Sequence, residues 1–268
     1  MVTCKLGELF GEGSRLGYIA LVISLLDTNG GRMKRFSLRE ILLEKSSDYN
    51  PFLTRAKLSG TIGSEYTARA YIDNAATLGL IKKFGRLAHG PDVLISSRAQ
   101  VFALLERIYP RKHLSLVDAQ KIFFLKLLID LDFSCWSELL SKFAISNAMS
   151  LSELYEKYFS DMRKKQFQHI YKVHLEWGRD LALFDKIDGE YSLTEKGYHL
   201  EQTWKKSDEG IGIDSSTFLL YDPSLKTLRD KKAIQDYLKL AYVWLEKNYP
   251  YAGEYVAVHA LCDLSQLL

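Results

Sequence analysis

Apolar residues recur at spacings of three and four along several stretches of the chain, a period typical of helices that bury one face. The clearest case is the segment 64–78, whose apolar stripe consists of Ala68, Ile72, Ala75 and Leu78. Gly79 follows this stripe, and glycine commonly ends a helix because it readily adopts a left-handed backbone conformation. The pattern therefore predicts a helix over 64–78. Its other faces carry Glu65, Tyr66, Arg69, Ala70 and Asp73, and we expect several of these side chains to project outward.

Two short apolar segments after this helix predict a β-hairpin. Residues 80–84 and 93–96 would form its strands, and its tip contains Gly85, Arg86, His89 and Gly90. Two further helices are predicted upstream. One covers 14–27, where Ser14 can cap the first turn, and the other covers 37–45 and opens with a capping-box pattern. A loop is expected around 48–51, so the predicted order is three helices and a hairpin.

The same plan recurs about a hundred residues later. A shift of 103 residues places 16–27 (LGYIALVISLLD) on 119–130 (AQKIFFLKLLID), and 77–86 (TLGLIKKFGR) on 180–189 (DLALFDKIDG). The first helix and the helix-to-hairpin junction therefore keep the same separation in both copies. This constant separation indicates a repeated supersecondary unit.

The second copy is predicted to contain helices over 116–129 and 136–143, an inserted helix over 151–159, and a last helix over 167–181. The apolar stripe of the last helix consists of Tyr171, Leu175, Gly178 and Leu181. The pair Asp188-Gly189 is typical of the two-residue turn in a tight hairpin. A closing helix is expected to start at 194–197.

A linker rich in glycine and serine around 210–216 marks the next boundary. Beyond it, 232–247 has the pattern of another first helix. We therefore divide the chain into a first domain over 1–110, a second over 111–206, and a linker with a partial third unit over 207–268. The chain is then expected to be a fragment of a longer protein or to end in an incomplete unit.

The junctions between helix and hairpin resemble those of the winged helix-turn-helix superfamily and, more loosely, of prokaryotic proteins that string several winged helices in tandem. The motifs are AYI (70–72) to LGLI (78–81) and HLEW (174–177) to LALF (181–184). The resemblance implies a mainly α fold with small β-hairpins, organised as tandem winged-helix domains. It implies duplex DNA as the partner, because the last helix of such a unit can enter a groove while the hairpin lies along the backbone.

The resemblance also implies which positions face the groove. In the first copy these are Glu65, Tyr66, Arg69, Ala70 and Asp73, and in the second they are His169, Lys172, Val173 and Glu176. Ala182 stands where a glycine usually ends the helix, so the second junction departs from the pattern.

Composition is consistent with a globular protein, with 47% apolar and 26% charged residues. The most apolar run, 16–26, is too short to span a bilayer, and no signal-peptide cleavage site follows it. These features predict a cytoplasmic protein without a membrane partner. The three cysteines, Cys4, Cys135 and Cys262, form no C-x-x-C pair, so reduced thiols are expected rather than a disulfide framework or a zinc site.

Charge is distributed unevenly along the chain. Residues 1–110 contain fifteen lysines and arginines against ten acids, 111–206 contain fifteen against fourteen, and 207–268 contain six against nine. A polyanion is therefore expected to meet the N-terminal third first.

The candidate DNA contacts lie mostly in this basic third. Arg69 is the expected base reader, since a guanidinium can bond a guanine edge bidentately, and Tyr66 lies one turn earlier. The alternative is that Arg69 only pairs with Asp73 at i+4 on a solvated helix. The expected phosphate contacts on the hairpin are Lys82, Lys83, Arg86 and His89, and the alternative for these residues is a plain solvated turn. Those of the second copy are Lys164, Lys165 and Lys172, although a charge run there is also typical of a soluble loop.

No motif for catalysis, metal or cofactor binding stands out. The histidines form no ligand pair, and the glycines near the N-terminus form no phosphate loop. The sequence therefore favours a non-enzymatic DNA-binding protein, such as a regulator or the DNA-binding part of a prokaryotic defence or restriction system. The alternative is an adaptor that binds protein through its second and third units, or the N-terminal arm of an enzyme.

Overall fold

A computed structural model describes residues 6, 9, 11–84 and 92–206, most of which are helical. The helices are α1 (Leu16–Thr28), α2 (Arg35–Arg55), α3 (Glu65–Thr77), α4 (Ser97–Ile108), α5 (Asp118–Ser146), α6 (Leu151–Tyr158), α7 (Lys164–Phe167), α8 (Val173–Asp180) and α9 (Glu195–Lys206), with a π-helical turn at Gln168–Lys172. The strands are β1 (Arg32–Lys34), β2 (Ile81–Phe84), β3 (Asp92–Ile95), β4 (Ala148–Ser150), β5 (Phe184–Ile187) and β6 (Glu190–Leu193). Within these ranges, none of the helices combines the length and apolar character needed to cross a bilayer.

The strands form two small antiparallel sheets of the same design. One has the order β1-β3-β2 and the other the order β4-β6-β5. In each sheet the last two strands form a hairpin after a helix, and a short strand from earlier in the chain pairs with the second hairpin strand. The mainly α composition with small hairpins is therefore confirmed, and each sheet gains a third strand that the sequence pattern did not predict.

The junction between helix and hairpin is built alike in both units. Gly79 has φ of +69° and Ala182 has φ of +57°, so both adopt the left-handed conformation. The next residue closes each helix with a backbone hydrogen bond. The N–H of Leu80 donates to the Ala75 carbonyl at 3.0 Å, and the N–H of Leu183 donates to the Gly178 carbonyl at 2.7 Å. The junctions predicted from the repeat are confirmed.

The first two helices of the first unit differ from their predicted bounds. α1 begins at Leu16 without a side-chain cap, rather than at Ser14. α2 continues to Arg55 through the loop predicted around 48–51 and contains Pro51. Long-range bonds stabilise this extension, because the Asn50 amide donates to the Ile62 carbonyl at 2.6 Å and accepts from the Ile62 N–H at 3.0 Å. Tertiary contacts thus outweigh the local preference for a turn.

The helices of the second unit also differ from the predicted order. Residues 133–146 continue α5 beyond a break at Asp132, where φ is −148° and ψ is 51°. The helix equivalent to α2 is instead α6, because α6 directly follows β4 in the same way that α2 directly follows β1. The stretch predicted as an inserted helix therefore belongs to the repeated plan, and the insertion is the second half of α5.

Apolar side chains from both units pack into one continuous core. Its largest fully buried members include Trp136, Trp177, Tyr18 and Tyr71. Cys135 lies in this core and is disulfide-bonded, which corrects the prediction of a reduced thiol. The predicted third unit over 207–268 lies outside the described residues.

Candidate nucleic-acid interface

The start of α3 presents two of the predicted contact residues to solvent. Ser64 caps this helix, because its hydroxyl accepts the N–H of Thr67 at 3.3 Å. Tyr66 in the first turn is 60% exposed. One turn later the Arg69 side chain is 58% exposed. The outward orientation predicted for these two residues agrees with the structure.

Asp73 and Ala70 do not project outward, which corrects the prediction for both. Ala70 is 1% exposed and Asp73 is 5% exposed, because α2 and β2 pack against the later turns of α3. A buried carboxylate needs compensating donors, since losing water is costly for a charge. Asp73 has three of them, and they come from three different elements.

The three donors to Asp73 are cationic. Lys83 on β2 places Nζ 2.5 Å from Oδ1, Arg69 on α3 places Nε 3.3 Å from Oδ2, and Arg35 on α2 also bonds Oδ1 through Nη2. We call Asp73 and these three cations the Asp73 cluster. One negative charge faces three positive charges, so the surface above Asp73 keeps a positive excess. Arg69 therefore pairs with Asp73, as one reading of the sequence expected, and also remains exposed enough to contact a ligand, as the other reading requires.

The hairpin separates its two lysines onto opposite faces because side chains alternate along a strand. Lys83 shares a face with the buried Ile81, and this side directs it to Asp73. Lys82 is exposed on the other face, as is Phe84 at 53%. The two lysines that the sequence treated alike therefore have different surroundings. Arg86 and His89 at the predicted tip lie outside the described residues.

Two arginines at the start of α2 belong to this surface, although the sequence prediction missed them. Arg35 bonds Asp73, and Arg39 places Nη2 3.0 Å from Oε2 of Glu65 on α3. The Arg39 guanidinium also lies 4.9 Å from the ring centre of Phe36, which is 50% exposed. The run Arg32-Met33-Lys34-Arg35 was a usable signal, because it places three cations in four residues just before a helix.

The equivalent helix of the second unit has a different environment. Lys164 and Lys165 are exposed and Lys172 is half-buried. Val173 and Glu176, which the resemblance placed facing a groove, are 0% exposed. This prediction is wrong because α8 packs against the start of α1 in the first unit.

Buried charges hold the two units together at this contact. Arg15, which precedes α1, is 2% exposed and bonds both Glu176 and Asp180. Glu176 also accepts from Arg179 at 2.9 Å and from the Tyr191 hydroxyl at 2.6 Å. Burial raises the pKa of Asp180, while the Arg15 guanidinium and the N–H of Leu16 oppose that shift. The acidic residues of α8 are thus engaged within the protein.

A carbonyl between the units receives hydrogen bonds from equivalent positions of the repeat. The oxygen of Gly13 accepts from the Asn74 amide of α3 at 3.1 Å and from the Trp177 indole of α8 at 3.3 Å. Asn74 and Trp177 are related by the same shift of 103 residues. The segment before α1 therefore lies between the two equivalent helices.

One buried cluster has the composition of a metal site. The ligand atoms of Asp132, Cys135 and His174 lie within 4.8 Å of one another. A metal ligand would have to be a thiolate, and the sulfur of Cys135 is in a disulfide. The cluster therefore does not support metal binding in this state of the protein.

Comparison of the chain with known protein families, curated proteins and solved structures finds no match.

Proposed function

We propose that both units are winged helices and that the first unit binds duplex DNA. In this arrangement α3 enters a groove and the β2–β3 hairpin lies along the sugar-phosphate backbone. The succession of α3, a left-handed glycine and a two-stranded hairpin supports the fold assignment.

The observation that carries the proposal is the positive excess around α3. Arg35, Arg69 and Lys83 surround a single buried carboxylate, and Lys82 is exposed nearby on the adjoining strand. Cations grouped on one face, beside a helix whose first turn is exposed, suit a phosphate backbone. Arg69 would reach base edges with its free guanidinium nitrogens, Tyr66 would lie beside it, and Lys82 would contact a phosphate.

The second unit supports the first rather than offering a second DNA-binding helix. Its α8 is buried against α1 through Arg15, Glu176 and Asp180, so it cannot enter a groove in this arrangement. A chain of this kind would serve as a regulator or as the DNA-binding part of a defence or restriction system.

A second candidate function is protein binding through the second hairpin. Ile187 near its tip is 70% exposed, with Asp185, Asp188 and Glu190 close in sequence, while the adjacent Lys186 bonds the Tyr191 hydroxyl. An apolar side chain among acids suits a basic protein surface better than a phosphate backbone. This function is compatible with an adaptor role.

The salt dependence of DNA binding tests the main proposal. Lys82→Gln should weaken binding to all duplexes alike and reduce the slope of log affinity against log salt by about 0.9 for the lost phosphate contact. Lys126→Gln is the matched control, because Lys126 lies in the second unit, where it pairs with Asp130 on α5. Unchanged affinity and slope for Lys82→Gln, or no salt-dependent binding at all, would favour the protein-binding alternative.

A further inference from the structure

A polar cleft lies between the two units, beside the segment that precedes α1. Its volume is about 310 Å³, and all ten residues that line it are polar or glycine. The first unit contributes Glu12 and hydroxyls from Ser59, Thr61 and Thr67. The second unit contributes Gln168, His169 and Lys172. Small-molecule sites are commonly concave and have volumes of roughly 300–1,000 Å³, so the cleft has the size of the smaller ones.

Two oxygens in the wall of this cleft are buried without partners. Oε2 of Glu12 and Oγ of Ser59 have no hydrogen-bond partner among the described residues, and solvent hardly reaches either atom. Buried polar atoms are nearly always hydrogen-bonded, because an unpaired one loses its water without compensation. Both oxygens therefore lack a hydrogen bond that a ligand hydroxyl would supply once the side chain turns toward the cleft.

The opposite wall is basic and has unusual backbone geometry. All three of its residues belong to the π-helical turn Gln168–Lys172. Such turns are rare and occur often at functional sites, because they change the direction of side chains along a helix. Here the turn directs His169 and Lys172 to the cleft. Neither side chain forms an ion pair with another residue in the described part of the chain.

We propose that this cleft binds a small phosphorylated sugar, such as the ribose phosphate part of a free nucleotide. The sugar hydroxyls donate to Glu12 and bond Ser59, and the phosphate accepts from Lys172 and His169. An apolar ligand would find no apolar side chain in the lining residues. The Glu12 carboxylate would repel a bare polyanion, and the Lys172 ammonium would repel a simple amine.

The position of the cleft gives the ligand a way to influence the rest of the protein. Thr67 belongs to the first turn of α3, next to Tyr66, while Lys172 belongs to the second unit. A bound sugar phosphate would bridge the two units and stabilise them by mass action. The binding proposal itself does not depend on DNA binding by the first unit.

Isothermal titration with ribose 5-phosphate tests the proposal, with ribose and inorganic phosphate as separate probes. We expect saturable binding of ribose 5-phosphate with Kd below about 1 mM, and binding at least about tenfold weaker for each fragment. Glu12→Gln and Lys172→Gln should each weaken ribose 5-phosphate binding by about tenfold or more. Lys126→Gln, which removes a lysine paired with Asp130 on α5 and outside the cleft lining, is the matched control and should leave binding unchanged.

Several results would overturn the proposal. They are no saturable binding of ribose 5-phosphate, equally tight binding of inorganic phosphate, and unchanged affinity in both cleft variants whose circular dichroism shows a native fold. Duplex DNA offers phosphates but no free sugar hydroxyls, because its deoxyribose units are esterified at both the 3′ and the 5′ oxygen. A loss of duplex affinity in Lys172→Gln with unchanged ribose 5-phosphate binding would therefore assign Lys172 to a backbone phosphate and overturn the proposal. A loss of ribose 5-phosphate binding with unchanged duplex affinity would support a free ligand.

Discussion

Lys83 and Asp73 form an ion pair that joins the hairpin to α3, with Nζ 2.5 Å from Oδ1. The equivalent residues of the second unit, Lys186 and Glu176, lie 3.6 Å apart and join the second hairpin to α8. Both residues of the pair keep the shift of 103 residues. The ion pair is therefore part of the repeated plan, and it links the helix to the hairpin in each unit.

Asp73→Asn is expected to lower the free energy of unfolding by about 1–3 kcal/mol, because the neutral amide cannot match the charge-assisted bonds to three cations. The same change should strengthen binding to random duplex DNA at low salt, since it removes the acid beneath the basic face. Urea unfolding and titration with a random duplex measure the two effects. Asp130→Asn, at an exposed ion pair on α5, should change stability by at most about 1 kcal/mol. Wild-type stability in Asp73→Asn would show that the Asp73 cluster does not hold α3.

Arg69→Ala is expected to cost about 1–3 kcal/mol of binding free energy on a preferred site and little on random DNA, because a base contact discriminates between sequences. The preferred site would first be selected from a pool of random duplexes. Arg55→Ala at the far end of α2 serves as the control of equal charge. An equal loss of affinity on both DNAs would show that Arg69 contacts only the DNA backbone. No loss of affinity on either DNA would show that its role is structural.

Ala182→Gly is expected to stabilise the protein by about 0.5–1 kcal/mol, because glycine adopts a positive φ without the strain of a side chain. Gly79→Ala, the reverse change at the equivalent position, should destabilise by about 1 kcal/mol. A Cβ at Gly79 would meet no atom of the described residues within 4 Å other than its chain neighbours, so its effect would come from the backbone alone. Chemical denaturation of both variants gives the comparison, and a loss of stability in Ala182→Gly would contradict this explanation.

Gly17→Ala is expected to destabilise the protein by about 1–3 kcal/mol or more. A Cβ there would lie 2.1 Å from the carbonyl oxygen of Leu114, so α1 and the chain before α5 would have to move apart. Gly63→Ala is the matched control, because its Cβ would have no non-neighbouring atom within 4 Å in the part of the chain that the structure describes. The thermal midpoints of the two variants should therefore differ clearly. Similar midpoints would show that α1 and Leu114 are less closely packed than described.

Asp180 predicts a dependence of stability on pH. Because its pKa is raised in the folded state, the native protein keeps this proton to a higher pH than the unfolded chain does. The stability it contributes is fully present below the unfolded pKa and is lost as pH rises through the folded pKa. The free energy of unfolding of the wild type, relative to Asp180→Asn, should therefore fall as pH rises from about 4 towards neutrality. A relative stability that rises over this range would contradict the assigned shift.

The parts of the fold that the sequence predicted depend on local signals. The helix before Gly79 follows from its apolar period, and the turn at Asp188-Gly189 follows from its residue types. The length of α2 could not be read in this way, because Asn50 is held by Ile62 across a loop. A local pattern also cannot show that 133–146 continues α5.

The candidate interface shows the same limit. The exposure of Tyr66 and Arg69 follows from their positions opposite the apolar stripe of α3. The burial of Asp73 does not, because its donors Arg35 and Lys83 come from separate elements. The resemblance placed Glu176 on an outward face, whereas the structure buries it among donors that include Arg15, distant in sequence, and the Tyr191 hydroxyl of the second hairpin.

The burial of Arg15 couples the stability of one unit to that of the other. Its guanidinium starts in the first unit and is neutralised by Glu176 and Asp180 in the second, so separating the units would leave charges on both sides unpaired. Unfolding of α8 therefore removes stabilising contacts from α1 as well, and we expect the two units to unfold together. A destabilising substitution in the core of the second unit would therefore lower the fraction of molecules in which the surface around Arg69 is folded, although it changes no residue of that surface.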